Sequence, residues 1–203
     1  LYFENLEKIM KSVVLLGSIL LLSACGSMQS QVVKKNVAFD PDSQAQIRSY
    51  GSYGSDLIRI YPKTDCAKWE GTKRNAVNRR FVNGLPRKVR NISIGIPPTE
   101  LSRKTEKDTG FVFRDSYREM VVSADQPVVL DGAFSSQTRN HHYSCRVAAS
   151  FTPKAGEAYE VRYLSEEEGC DIEVYHIGHE EKDGVRQTKK LTANYCARPG
   201  TSF

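Results

Sequence analysis

Short runs in which apolar and polar residues alternate recur along most of this chain. They are rich in β-branched and aromatic residues, and glycine, proline or aspartate separates them about every ten residues. A period of two places successive side chains on opposite faces of a strand. This pattern predicts an all-β fold, either one antiparallel β-sandwich (Ig-like or transthyretin-like) or a barrel. The predicted strands are Ala45–Tyr50, Leu57–Tyr61, Val89–Ile96, Phe111–Arg114, Arg118–Val122, Val128–Phe134, Tyr143–Phe151, Ala158–Leu164, Cys170–Ile177 and Gln187–Cys196.

Helical patterning is weak, and only Asp65–Trp69 and Asn75–Val82 favour a helix. Hydrophobic residues make up 39% of the chain and charged residues 26%, which is ordinary for a globular domain. We therefore expect a single folded domain over residues 37–203.

An apolar run lies near the start of the sequence. Lys11 precedes Val13–Leu22, which only Gly17 and Ser18 interrupt and which ends in small residues. A basic residue before a short apolar run is typical of a secretory signal, and the run is too short to span a membrane. Its end, Leu22-Ser23-Ala24-Cys25, resembles the lipobox of bacterial lipoproteins.

That resemblance implies an address for the protein. It implies that residues 10–24 are a signal peptide removed before Cys25, and that the Cys25 thiol is lipidated and its new amino group acylated. Residues 25–36 would then be the lipidated cysteine and a polar tether, and the partner of this end would be the membrane. By the same resemblance, Gly26 favours the outer membrane. Residues 1–9 do not fit a signal peptide, and we interpret them as a non-native or upstream extension.

A second resemblance covers Tyr117–Val174. The segments YREMVVSADQPVVLDGAF, CRVAASFTPKAGEAYEVRY and GCDIEV resemble a loose group of uncharacterised β-sandwich lipoproteins of bacteria. In that group a YxExxxxAxxP run precedes a C…SFxPxAGxxYEV strand pair and a further cysteine. The resemblance implies a β-sandwich and implies no activity.

Four cysteines remain beyond the leader: Cys66, Cys145, Cys170 and Cys196. An even number in an exported chain predicts two disulfides, and the absence of a CxxC pair disfavours a metal site. Cys170 and Cys196 flank a predicted hairpin with its turn at Asp183, so we prefer that pair and leave Cys66 with Cys145. The apolar faces of the two hairpin strands do not match this register, so the connectivity stays open.

Positive charge is concentrated in one segment. Between Gly71 and Thr99 there is no acidic residue, whereas the whole chain carries a net charge of only +5. Such a segment attracts anions, and in the envelope these would be lipid phosphates, lipopolysaccharide, peptidoglycan carboxylates or an acidic protein, not nucleic acid. The alternative is a solvated loop without a partner. The candidate anion-binding residues are Lys73, Arg74, Arg79, Arg80, Arg87, Lys88 and Arg90.

No motif in the sequence indicates catalysis. The sequence contains no G-x-S-x-G elbow, P-loop, dinucleotide fingerprint or HExxH. His176 and His179 would point to opposite faces of a strand, so both could bind one metal ion only if the chain bends at Gly178. We predict surface positions for them, for His141-His142, and for the carboxylates at Glu166–Glu168, Glu180, Glu181 and Asp183.

These observations predict a lipid-anchored envelope protein that acts as a non-catalytic binding or structural module without a cofactor. Two alternatives are an inhibitor of host lysozyme and a cell-wall hydrolase. Lysozyme is itself basic, so a basic surface disfavours the first alternative. The second lacks a visible set of converging catalytic residues.

Overall fold

The computed structural model of the chain describes residues 32–51, 57–70, 75–76, 81–82, 85–86, 90–108, 115–137, 139, 142–166 and 169–197. Strands dominate this part of the chain, which confirms the all-β prediction, and one helix accompanies them. The strands are β1 (Val32–Lys34), β2 (Gln44–Gly51), β3 (Leu57–Pro62), β4 (Asn75–Ala76), β5 (Phe81–Val82), β6 (Leu85–Pro86), β7 (Asn91–Ser93), β8 (Ser116–Ser123), β9 (Val128–Gln137), β10 (His142–Phe151), β11 (Ala158–Glu166), β12 (Gly169–Lys182), β13 (Val185–Leu191) and β14 (Asn194–Tyr195); the helix is α1 (Glu100–Lys107).

The strands form two main sheets. One has seven strands in the order β1-β7-β8-β2-β11-β12-β13, the other has five in the order β14-β10-β9-β3-β4, and β5 pairs with β6. The five-stranded sheet is antiparallel throughout. The seven-stranded sheet is mixed, because β1–β7, β7–β8 and β2–β11 are parallel pairs. The prediction of a purely antiparallel fold is therefore wrong for this sheet. Parallel neighbours need crossover connections, which local alternation does not encode.

One hydrophobic cluster draws on both sheets. It contains Ile47 of β2 and Val161 of β11 from the larger sheet, and Ile60 of β3 and Leu130 of β9 from the smaller one. All four side chains are fully or almost fully buried. Alternation along the strands explains this face, because each strand sends every second residue into the cluster. The opposite face of the larger sheet is here called the outer face.

The two segments that were predicted to favour a helix have a different secondary structure. Asp65–Trp69 forms a turn rather than a helix, in which the Lys68 amide donates to the Asp65 carbonyl at 3.2 Å. Strands β4 and β5 occupy the two ends of the predicted helix Asn75–Val82. Strand β7 is shorter than predicted, and Phe111–Arg114 lies outside the described residues.

Helix α1 was absent from the sequence prediction. Thr99 caps it, with a reciprocal hydrogen-bond pair to Ser102. The helix buries Ser102 and Thr105 instead of an apolar stripe, so it lacks the hydrophobic period by which a helix is found in a sequence. Its local signals are the Thr99 cap, Glu100 in the first turn, and Lys104 and Lys107 in the last turn.

Strand β1 lies within the segment predicted to be a tether. Val32, Val33 and Lys34 pair in parallel with Asn91, Ile92 and Ser93 of β7. Residues 32–34, which the sequence assigned to the tether, therefore take part in the larger sheet. A three-residue strand is too short for its alternation to be recognised.

Both disulfides are confirmed, and their preferred pairing is wrong. Cys66 is bonded to Cys196, and Cys145 to Cys170. The predicted hairpin exists, but after Leu191 the chain leaves the seven-stranded sheet and enters the other as β14. Cys196 therefore reaches Cys66, while Cys145–Cys170 joins β10 and β12 across the two sheets.

Candidate functional site

The outer face of the larger sheet carries a buried charged network centred on Arg48 of β2. The Arg48 guanidinium donates to Glu119 (Nε to Oε1, 2.9 Å) and to Glu160 (Nη1 to Oε1, 3.0 Å). These carboxylates lie directly opposite it on β8 and β11. The hydroxyls of Tyr50 and Thr99 donate to the same Glu160 oxygen at 2.6 and 2.5 Å. The three charged residues are each at most 3% exposed, so each charge depends on the others for compensation.

The same network holds the segment 93–99 on the outer face. Glu119 Oε2 accepts from the Ser93 hydroxyl at 2.9 Å and from the backbone amides of residues 94, 95 and 96 at 2.6, 3.1 and 3.2 Å. Arg48 Nη2 donates to the carbonyls of residues 96 and 97. Gly95 makes this wrap possible with a φ of +104°, where side chains are strained. The segment 93–99 is thus held to Glu119 and Arg48 mainly through its own backbone amides and carbonyls.

Electrostatics fix the protonation of the central groups. Burial alone would lower the pKa of Arg48, but Tyr50, Glu119 and Glu160 outweigh it, and the pKa is raised. Burial, followed by the charge of Glu160, raises the pKa of Tyr50. Arg48 is therefore charged and Tyr50 protonated at physiological pH. Because their donors are used within the protein, we interpret the network as a structural latch.

Helix α1 is attached to this latch at its first turn and to β8 further along. Thr99, its cap, donates to Glu160. The Tyr117 hydroxyl donates to Glu106 in the helix at 2.6 Å, and burial, followed by this bond, raises the pKa of Tyr117. These contacts seat the helix on the outer face without a large apolar contact.

A groove of about 740 Å³ lies between α1 and the tip of the β12–β13 hairpin. Leu101 and Val185 contribute apolar surface to it, and Arg103 donates to the Gly184 carbonyl at 3.5 Å. Its charged lining has both signs, so it is not a purely anionic or cationic site. The charged lining residues are Glu100, Arg103, Lys104, Lys107, Asp108, Asp115 and Asp183.

A second charged cluster lies on the face of the smaller sheet that points away from the core. Asp131 is fully buried and accepts from Arg59 Nη1 at 2.8 Å and from Arg146 Nε and Nη2 at 2.8 and 3.1 Å. The bond to Asp131 is the main cause of a raised pKa of Arg146. The Arg146 guanidinium lies 5.4 Å from the ring centre of Trp69, which packs edge-on against Tyr61. The cluster joins the segment 63–70 to the sheet.

The two histidines of the H-x-x-H sequence meet at one carboxylate. Glu157 lies 2.6 Å from His176 Nε2 and 3.7 Å from His179 Nε2. The pairing of β12 with β13 shifts register between residues 177 and 181. This irregularity in the strand allows His176 and His179 to approach the same carboxylate. The hydrogen bond to His176 is the main cause of a lowered pKa of Glu157.

A metal centre does not follow from this convergence. Within the described part of the chain, no three His, Cys, Asp or Glu side chains are arranged to hold a metal ion. His142 is exposed and lies 3.4 Å from Ser135, and His141 lies outside the described residues. Glu180, Glu181 and Asp183 are exposed, as predicted; Glu167 and Glu168 lie outside the described residues.

Of the seven candidate anion-binding residues, the structure describes only Arg90. Lys73, Arg74, Arg79, Arg80, Arg87 and Lys88 lie outside the described residues, as does Cys25. Arg90 is exposed immediately before β7. At the other end of the parallel β1–β7 pair, where Lys34 is opposite Ser93, the sheet edge carries the exposed residues Lys34 and Lys35, and the Lys35 amide donates to the Ser93 carbonyl at 2.8 Å. The sequence reasoning missed these two lysines because it assigned them to the tether.

No protein-family model, curated protein or solved structure matches this chain. In the described ranges, helix α1 is the only helix, and it is neither long nor apolar enough to cross a membrane.

Proposed function

We propose that this chain is a lipid-anchored protein of the bacterial outer membrane, in which a disulfide-linked β-sandwich acts as a non-catalytic binding or structural module. Its ligand would be an anionic component of the envelope. The anchor would be Cys25, acylated after removal of residues 10–24.

The cysteine pairing is the observation that carries the proposal. Two disulfides, Cys66–Cys196 and Cys145–Cys170, use four of the five cysteines of the sequence. Only Cys25 is left without a cysteine partner in this chain. Disulfides persist in oxidising compartments outside the cytoplasm. The pairing therefore supports export, and it supports a separate role for the cysteine at the end of the apolar leader.

Two features support the sandwich architecture. The main hydrophobic cluster takes side chains from both sheets, and the Cys145–Cys170 bond joins a strand of one sheet to a strand of the other. Packed sheets bury their facing residues in this manner.

Metabolic labelling tests the anchor. Cells that express the full chain are grown with a fatty-acid analogue, and the purified protein is examined for label and for its N-terminal mass. We expect label on a chain that begins at Cys25, and no label on the Cys25→Ser variant. Ser27→Ala is the matched control and should be labelled like the wild type. Equal labelling of the wild type and Cys25→Ser would refute the proposal.

Charge reversal tests the anionic ligand. Changing Arg79, Arg80, Arg87 and Lys88 to glutamate should abolish the salt-sensitive binding of the unlipidated chain to anionic vesicles or lipopolysaccharide, because the attraction is screened over about 8 Å at physiological salt. The melting temperature of the variant, measured in parallel, shows that a loss of binding is not a loss of folding. Undiminished binding after the reversal would exclude this segment as the anion-binding surface.

A further inference from the structure

The edge of the larger sheet formed by β1 and β7 lies closest in the chain to the proposed anchor. Cys25 precedes the first described strand residue, Val32, by seven residues. Seven residues span at most about 25 Å even when fully extended. The β1 edge would therefore remain within that distance of an acylated cysteine in the bilayer. The opposite edge, β13, lies six strand spacings further away, which is about 29 Å across a sheet.

Three exposed side chains at this edge are positively charged. Lys34 and Lys35 are exposed at the end of β1, and Arg90 is exposed at the start of β7. Among the described residues, none of the three takes part in a salt bridge with a carboxylate. Asp108 and Asp115 lie near the start of β8, one strand further into the sheet than β7. Unpaired lysines and arginines close to a bilayer bind its anionic headgroups.

The opposite edge has a different charge pattern. Lys190 on β13 is bonded to Glu173 at 2.6 Å, and the adjoining hairpin carries the exposed acidic residues Glu180, Glu181 and Asp183. Both edges thus contain cations, but only the β1 edge combines unpaired cations with a short connection to the anchor.

We propose that the β1–β7 edge, through Lys34, Lys35 and Arg90, docks against anionic phospholipid headgroups of the leaflet that holds the acylated Cys25. This inference rests on the proposed lipid anchor and adds an orientation to it: the domain stands on its β1 edge, and β13 points away from the bilayer. Each cation near an anionic surface favours contact by about fivefold. Loss of Lys34 and Lys35 together should therefore reduce the ratio of docked to undocked molecules by about 25-fold.

Energy transfer measures this orientation in the full lipidated chain. A fluorescent unnatural amino acid replaces either the exposed Asn36, beside β1, or the exposed Thr188 on β13, so that no cysteine is added. The acceptor is a dye on the headgroups of vesicles that contain phosphatidylglycerol, and phosphatidylcholine vesicles provide the uncharged comparison.

On anionic vesicles we expect much stronger transfer from position 36 than from position 188. The double variant Lys34→Glu and Lys35→Glu should reduce this difference to the part that the short tether alone produces, as should phosphatidylcholine vesicles. Lys182→Glu with Lys189→Glu, two exposed lysines of the β12–β13 hairpin, is the charge-matched control and should leave the difference unchanged. Circular dichroism confirms that each variant is folded.

The outcomes separate the two proposals. Equal transfer from both positions on anionic vesicles would overturn the orientation while the anchor stands. A difference that is undiminished in the Lys34→Glu and Lys35→Glu variant, or undiminished on phosphatidylcholine, would overturn the role of the charges. Failure of the chain to associate with vesicles and to carry acyl groups would overturn the anchor, and the orientation with it.

Discussion

The two disulfides should differ in how much they stabilise the fold. Cys66 and Cys196 are 130 residues apart, whereas Cys145 and Cys170 are 25 apart. A cross-link restricts the unfolded chain more when it closes a longer loop, and the chain-entropy relation gives about 5 kcal/mol for the first and about 3.5 kcal/mol for the second. Replacing Cys66 and Cys196 by alanine should therefore lower the free energy of unfolding by about 1.5 kcal/mol more than replacing Cys145 and Cys170.

Trp69 provides a local probe for the same comparison. It is the single tryptophan of the chain and is 3% exposed. It belongs to a small cluster with Tyr61, Val129 and Ala148, against which Cys196 packs. Strand β14 pairs with the sheet through only two residue pairs. Loss of the Cys66–Cys196 bond should therefore loosen β14 and Cys196 where they cover this cluster, and shift the Trp69 emission to the red in native buffer. The Cys145→Ala/Cys170→Ala variant should keep the emission of the wild type.

Denaturant unfolding followed by both Trp69 fluorescence and far-ultraviolet circular dichroism gives the two free energies. Peptide mapping without reductant, performed on the same wild-type preparation, confirms the bonds under study. Larger destabilisation by the Cys145→Ala/Cys170→Ala pair would contradict the loop-length argument. A red shift found only in the Cys145→Ala/Cys170→Ala variant would refute the conclusion that the Cys66–Cys196 bond holds β14 over Trp69. Recovery of a peptide that joins Cys170 to Cys196 would refute it as well.

Three further predictions concern stability. Gly132→Ala should destabilise the protein by about 1–3 kcal/mol through overpacking, because its new Cβ would lie 2.2 Å from the Tyr163 ring. In chemical denaturation, Gly132→Ala should cost less in a Tyr163→Ala background than in the wild type, and an equal cost in both backgrounds would exclude this clash. Arg48→Met should lower the free energy of unfolding by about 3–5 kcal/mol because it leaves two buried carboxylates without their cation. Arg48→Lys keeps the charge and should lower the free energy of unfolding by less. Equal losses in the two variants would contradict the argument that the charge of Arg48 is what stabilises the fold. The pKa of Glu157 is lowered in the folded state, chiefly by His176, so the stabilising effect of this carboxylate is complete above about pH 4.5 and is lost as the pH falls through the lower folded value. His176→Ala should therefore make the melting temperature depend less on pH in that acidic range. The same pH dependence in His176→Ala and the wild type would contradict the coupling.

The strands were predictable where alternation is long. The predicted Ala45–Tyr50 and Tyr143–Phe151 match β2 and β10 to within one residue at each end, because burial of one sheet face imposes a period of two on the sequence. Helix α1 and strand β1 were missed for the opposite reason. The helix is held by polar contacts, and the strand is three residues long, so neither leaves a hydrophobic period.

The charged sites were less predictable than the strands. Arg48, Glu119 and Glu160 stand in the sequence as ordinary polar residues of alternating strands, where a polar position normally faces water. They become a buried network only because β2 lies between β8 and β11, and because the segment 93–99 covers that face. The convergence of His176 and His179 on Glu157 likewise depends on a register shift between strands.

By itself the sequence determined the all-β class, the positions of most strands, the hairpin turn at Asp183 and the presence of two disulfides. These features depend on neighbouring residues: the alternation of burial, the turn chemistry and an even number of cysteines. Only the tertiary structure decided that Cys196 joins Cys66, that the larger sheet is mixed, and that residues 32–35 form an edge rather than a tether. Each of these depends on which distant segments become neighbours, and that is settled by how both faces of the sheets are covered, which no short stretch of the sequence specifies.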